Sequence, residues 1–216
     1  MPVRQIPKNY MTVTGRVARG DDGEAAGFEG ILEKDYLLLL KHDDAVRDFE
    51  VQPVRVPVRG ARPYTPDVLV HFFDDAQGRS RPSELTEVKP KARFLKGEIK
   101  FAARFTAADL FASARGWIFV KKDESHIAGP KLQNIKFLRN YMRNQLPAEE
   151  RARVMAAVGR LKGKTTSEEL LSMLCVTDDE RLATVPVLWQ LVFTGFLAID
   201  MDVPIPRNVP LWIASR

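Results

Sequence analysis

Asp67-Val-Leu-Val-His-Phe-Phe73 and, after a polar turn, Ser83-Glu-Leu-Thr-Glu-Val-Lys89 form the stretch whose reading decides the fold. The first run follows Pro66 and is rich in β-branched and aromatic residues, so it reads as a strand. Asp74 to Pro82 supplies polar turn residues, including Gly78, and Ser83 to Lys89 returns as a second, antiparallel strand. Pro90 ends it. Side chains alternate across a sheet, so Glu87 and Lys89 project from one face and Val88 from the other. Glu84 falls, by parity, on the face opposite Glu87. The short connection brings Asp67 close to Glu87. Two carboxylates and one ammonium then share one end of a sheet.

Such a cluster suits phosphodiester hydrolysis. Two hard oxygen ligands, Asp67 and Glu87, can hold Mg2+ or Mn2+, with a phosphate completing the shell. The ion polarises the phosphate and lowers the pKa of a bound water. Lys89 would position the attacking water or offset transition-state charge. An acidic residue, a spacer and a lysine also arise by chance, and alone they read as an exposed polar strand face. The elements around the trio give it weight.

Glu24 to Lys41 carries Phe28, Ile31, Leu32, Tyr36 and Leu39 at helical spacing. Glu33 sits at the edge of that stripe and could supply a further carboxylate. Phe49 to Val58, with Pro53 and Pro57, fits an extended strand near an edge. Gln52 on it either contacts DNA or satisfies backbone groups. Arg62 and Tyr64, just before the metal strand, could touch a phosphate, with a solvated turn as the alternative reading for Arg62. Gly97 to Arg115 reads as a helix and Trp117 to Val120 as a short strand. Lys91, Arg93, Lys96, Lys100 and Arg104 form a basic run directly after Lys89, and we expect phosphate contacts there. Leu132 to Leu146 and Ala148 to Leu161 read as helices parted by Pro147. Lys136, Arg139 and Arg143 on the first of them are further candidates to meet phosphates.

The order helix-Glu, strand, Pro-Asp strand, Glu-Val-Lys strand, helix resembles the core of the PD-(D/E)xK nuclease superfamily. The segments Phe28-Glu-Gly-Ile-Leu-Glu-Lys-Asp-Tyr36, Phe49-Glu-Val-Gln-Pro53, Tyr64-Thr-Pro-Asp-Val-Leu-Val70 and Glu87-Val-Lys-Pro90 resemble, more narrowly, the TnsA family. Gly116-Trp-Ile-Phe-Val120, with Ile127 and Asn134 beyond, is similar to that family's next block. TnsA proteins are endonuclease subunits of heteromeric transposases. The resemblance implies an α/β, restriction-endonuclease-like core, a central mixed sheet flanked by helices. It implies Mg2+-dependent cleavage of the 5′ (non-transferred) strands at transposon ends. A TnsB-like integrase-type transposase would cut the 3′ ends, and a TnsC-like AAA+ ATPase would regulate both. By position Glu33, Asp67, Glu87 and Lys89 match the family's catalytic set. Asp67, Glu87 and Glu33 would be the metal ligands, with two ions of Mg2+ or Mn2+ expected. Some members carry Gln where this chain has Glu87, and glutamate is the commoner residue across the superfamily. A restriction or repair endonuclease, or a non-catalytic DNA-binding assembly factor on the same fold, are the alternatives.

Whole-chain properties bound these readings. The chain has 216 residues, a formal net charge of +5 and a pI near 9.4, compatible with a polyanionic partner such as DNA. Its charge is uneven. Lys131 to Lys164 holds nine basic and two acidic residues, whereas Thr165 to Arg216 holds three basic and seven acidic. We therefore expect a basic N-terminal arm (1–20, with Arg4, Lys8, Arg16 and Arg19), a nuclease domain with a basic helical extension (21–164), and a C-terminal module (165–216). Helix, helix, then two strands at Phe196–Met201 and Val209–Ile213 suggest that this module is winged-helix-like. Its second helix, expected from Arg181 to Phe193, has no Lys or Arg between Thr184 and Phe193, so protein docking suits it better than DNA reading. A single cysteine, Cys175, rules out an internal disulfide and a cysteine-rich zinc site, and reads as a buried thiol. His42, His71 and His126 lack metal-ligand spacing. No glycine-rich phosphate loop is present. No apolar run nears the roughly 20 residues needed to cross a bilayer, and the N-terminus lacks a signal-peptide core, so a cytoplasmic protein without membrane partners is expected.

Overall fold

The computed structural model describes residues 15–17, 26–28, 30–142, 147–160 and 163–214. The chain divides into two compact units between Ala128 and Gly129. The helices expected at Leu132 and Ala148 thus fall in the second unit.

The first unit opens with β1 (Gly15–Val17) paired antiparallel to β2 (Ala26–Phe28). Apart from those three strand residues, the expected basic arm, with Arg4, Lys8 and Arg19, lies outside the described residues. The helix expected from Glu24 starts instead at Ile31, as α1 (Ile31–Lys41). Gly23, Gly27 and Gly30 explain the late start, because each glycine costs a helix about 1 kcal/mol against alanine. Gly30 keeps an extended backbone as the N-cap.

β3 (Val46–Val51), β4 (Val68–Phe72), β5 (Glu84–Val88) and β6 (Ile118–Lys122) form one sheet in that order. The first three run antiparallel and β6 joins β5 in parallel, which makes the sheet mixed. β3 is shorter than expected. It stops at Gln52, which takes the left-handed backbone (φ 49°), and Pro53 follows with no N–H to donate. A lone bridge, Val56 to Tyr64, continues the extended path. Between β5 and β6 lie α2 (Lys91–Lys96) and α3 (Glu98–Ser113), where one helix was expected. Gly97 separates them, and a Cβ there would sit 2.3 Å from the Phe101 ring, so only glycine fits unshifted. α4 (Glu124–Ile127) ends the unit, capped by the Asp123 side chain.

Strand parity sorts the two faces of the sheet. Tyr36 of α1 reaches Thr86 of β5, hydroxyl to hydroxyl at 3.4 Å. Val68 and Val70 of β4 oppose Thr86 and Glu84 and are fully buried. On the other face Leu69 and Leu85 oppose each other and cluster with Ala112 of α3. Burying a side chain such as Leu85 contributes about 1.5–3 kcal/mol. One helical layer covers each face of a mixed sheet, which fits the restriction-endonuclease-like core expected from the sequence.

The second unit comprises α5 (Pro130–Leu138), a 3-10 turn (Arg139–Tyr141), α6 (Ala148–Val158), β7 (Thr165–Thr166), α7 (Ser167–Leu174), α8 (Asp178–Phe193), β8 (Leu197–Ala198) and β9 (Pro210–Ile213). Its three strands lie in the order β7-β9-β8, all antiparallel. Val158, Leu170, Leu188, Leu191 and Leu211 form the centre of its core. Thr166 with Glu169 and Thr177 with Glu180 make capping boxes for α7 and α8. The second box starts α8 at Asp178, ahead of the expected Arg181. Cys175 is buried and bonds Thr184, as a structural thiol would. No helix of the described residues is long and apolar enough to cross a membrane.

Candidate active site

Asp67 stands just before β4 and is fixed from several sides. Its N–H donates to the Thr86 carbonyl (3.0 Å), and its carbonyl accepts the Gln52 N–H (2.7 Å). Its carboxylate Oδ2 accepts the Val88 N–H (2.7 Å). Backbone and side chain of Asp67 therefore grip the residues on both sides of Glu87. That arrangement sets the two carboxylates side by side at the end of the sheet.

Glu87 is 1% exposed. A bare carboxylate at that depth would be strongly unfavourable, so its partners matter. Lys89 Nζ pairs directly with Glu87 Oε1, which requires the shared strand face that parity assigned them. The Tyr64 hydroxyl donates to Glu87 Oε2. Burial pushes the Tyr64 hydroxyl well above its ordinary pKa, and the charge on Asp67 adds to the effect, so the phenol keeps its proton and remains a donor. Burial also pulls the Lys89 ammonium below the usual lysine value, against the opposing pull of Asp67 and Glu33. Tyr64 is itself wedged edge-on against Phe105, ring centroids 6.2 Å apart. Phe105 in turn packs on Phe101 and Phe119. The site thus rests on an aromatic cluster contributed mostly by α3.

A cavity of about 690 Å³ opens over this group, lined by Asp67, Glu87 and Lys89 together with Arg55, Arg62 and Arg104. Its floor is acidic and its walls are cationic. Glu84 is absent from the lining. It is buried elsewhere, bonded to Arg81 at 2.6 Å and 3.9 Å from Lys122, as its parity required.

The remaining expected residues are distributed as follows. Glu33 lies buried in the first turn of α1, and its charge acts on Lys89. Gln52, expected as a DNA contact, is only 4% exposed, so its side chain offers DNA little surface. Its Oε1 is buried with no hydrogen-bond partner among the described residues. Lys91, Arg93, Lys96 and Lys100 are exposed on α2 and the first turn of α3; none lines the cavity, although the Arg93 charge also acts on Lys89. Lys136 is exposed on α5 and Arg139 half-buried in the 3-10 turn, both in the second unit. Arg143 lies outside the described residues. His71 bonds Ser83 at 2.8 Å and Glu50 at 3.3 Å and is absent from the cavity lining.

Sequence reasoning missed the role of Tyr64, whose hydroxyl goes to Glu87 rather than outward to a phosphate. It also did not single out Arg55 or set Arg104 apart from the other basic residues of its run. One signal existed for Arg104: it stands at helical spacing from Phe101 and beside Phe105, so it shares their side of α3.

Residues 43–124 match the family model described as TnsA-like endonuclease N terminal, so this segment is similar to that endonuclease family. The match contains Asp67, Glu87 and Lys89 and stops short of Glu33. A comparison with curated proteins finds no match.

Proposed function

We propose that this TnsA-like chain hydrolyses DNA phosphodiesters at transposon ends, cutting the 5′ strands as one subunit of a heteromeric transposase. The observation that supports this most is the meeting of Asp67, Glu87 and Lys89 in one cavity within the matched segment. The family match supports a nuclease; strand choice and partners are our extension of it.

The donor set suits a hard divalent cation. Among the described residues no group of three or more His, Cys, Asp or Glu is gathered closely enough to hold an ion alone. Mg2+ is ordinarily bound through one or two carboxylates, several waters and the substrate's phosphate. Asp67 and Glu87 supply that number, and Glu33 stands as a further candidate. When bound, Mg2+ or Mn2+, as one ion or two, would polarise the phosphate and help generate the attacking nucleophile. The chain's own groups do the rest. The Val88 N–H orients Asp67, and the Tyr64 O–H orients Glu87. Lys89 places a positive charge where the phosphate gains negative charge in the transition state.

The choice of partners rests on the family and on the charge of the chain. The cavity offers cations to a phosphate backbone, which carries no sequence information by itself. A TnsB-like transposase would therefore select the ends, and a TnsC-like AAA+ ATPase would license cutting. We read the acidic C-terminal segment as the docking module. Its order of helix, helix and ribbon is winged-helix-like, and α8 carries no basic residue from Thr184 to Phe193. The test is a reconstituted transposase acting on an end-labelled transposon end in Mg2+. We expect Asp67→Ala and Lys89→Ala each to abolish 5′-strand cutting while leaving 3′-strand cutting by the partner. Intact 5′ cutting by both variants refutes the site.

A further inference from the structure

Several arginines in this protein have a visible partner. Arg81 pairs with Glu84, Arg153 with Glu150, and Arg181 with Glu168. Arg115 stacks on Phe111, 3.5 Å from the ring centroid. Arg104 is different. It is half-buried on α3, and it lines the cavity beside Phe101 and Phe105. It shares that lining with Tyr64 and Lys89, the two groups that hold Glu87, and its charge acts on both. Yet among the described residues it makes no hydrogen bond or ion pair. A guanidinium that gives up water without a partner is uncompensated until an anion arrives. Its planar fork of donors matches a phosphate in bidentate fashion. Lys89, paired with Glu87, carries a single ammonium and lacks the planar fork that grips a phosphate bidentately.

We propose that Arg104 is the phosphate clamp of the cavity, gripping a backbone phosphate of DNA beside the acidic pair, with Arg62 at the exposed mouth taking a neighbouring phosphate. This rests on the nuclease reading of the same cavity. A mobile surface lysine attracts DNA from a distance, whereas Arg104 fixes one phosphate in place. It therefore acts on the position of the strand as well as on affinity.

The experiment is duplex binding by the full chain in EDTA, followed by fluorescence anisotropy across a NaCl series. Removing one phosphate-binding cation lowers the slope of log K against log salt by roughly one. We expect Arg104→Ala to bind about tenfold more weakly, with the slope reduced by roughly one. Arg104→Lys should keep the slope, because the charge remains, and lose part of the affinity, because the fork does not. Arg115→Ala, with its guanidinium stacked on Phe111, should match wild type. An Arg104→Ala chain with wild-type affinity and slope overturns the proposal. So does an equal loss in Arg115→Ala, or a wild-type chain that does not bind duplex. Because the readout needs neither metal nor cutting, it stands apart from the nuclease reading. That reading fails instead if wild type in Mg2+, with its partners, leaves DNA intact.

Discussion

Replacing Lys89 by methionine keeps much of the side chain's length and removes only the ammonium opposite Glu87. The carboxylate left behind has a side chain 2% exposed, and the Tyr64 hydroxyl remains as its direct partner. Removing one member of a buried ion pair costs about 3–5 kcal/mol. Two features lower that figure here. The Tyr64 bond to a charged acceptor retains about 1.5–3 kcal/mol. The Lys89 side chain is 23% exposed, so water reaches part of the vacated space. Neutralising an ordinary glutamate at pH 7 sets a ceiling of about 3.7 kcal/mol on any such loss. We therefore expect Lys89→Met to lose about 2–3 kcal/mol. Urea unfolding in EDTA, read at Trp117 with Trp189 and Trp212 replaced by phenylalanine, measures this in the first unit alone. Adding Glu87→Gln to Lys89→Met should restore at least about 1 kcal/mol, since the buried charge is then gone. A Lys89→Met chain within about 0.5 kcal/mol of wild type would refute the reasoning. It would mean that the Glu87–Lys89 pair carries no energy.

Tyr64→Phe deletes the second partner of Glu87 with little loss of packing, and should weaken Mn2+ binding about 10- to 100-fold by calorimetry, the usual effect of losing a ligand's supporting hydrogen bond. Unchanged affinity would show that the phenol is only a packing residue. Gly97→Ala drives a methyl group into the Phe101 ring and should cost about 1–3 kcal/mol in thermal or urea unfolding, with the aromatic cluster under the site displaced. Thr177→Ala removes the cap of α8 and should cost about 1 kcal/mol in the second unit, read from Trp189 fluorescence, with the cavity of the first unit untouched.

What the sequence made legible depended on how local the physics was. The period of two between Glu87 and Lys89, and the prolines bounding their strands, were enough to put both side chains on one face and Glu84 on the other. Asp67 was reachable because its strand and theirs follow one another in the chain and pair antiparallel. Tyr64 was not, because a lone bridge to Val56 brings it in, and nothing local marks a bridge of one residue pair. Arg104 sat in a basic run, and charge alone does not distinguish it from Lys100 one turn earlier. Only the helix's packing, with Phe101 and Phe105 turned to the cavity, separates them. Gln52 illustrates the opposite situation. Its place near the site suggested either a DNA contact or a backbone partner, and the left-handed backbone at φ 49° goes with a side chain that is only 4% exposed. The break between α2 and α3 was hidden for a similar reason, since Gly97 reads equally well as a helix start.

The central claim is that Asp67 and its neighbours cut DNA with a divalent cation. Asp67→Asn tests it most directly, because asparagine keeps an oxygen for the Val88 N–H while losing the charge. Single-turnover cleavage of a transposon-end duplex should be followed in the reconstituted transposase, with Mg2+ and with EDTA. The account predicts cutting by wild type in Mg2+, none in EDTA, and a rate at least about 100-fold lower for Asp67→Asn with the protein folded. Cutting by Asp67→Asn at the wild-type rate would contradict it.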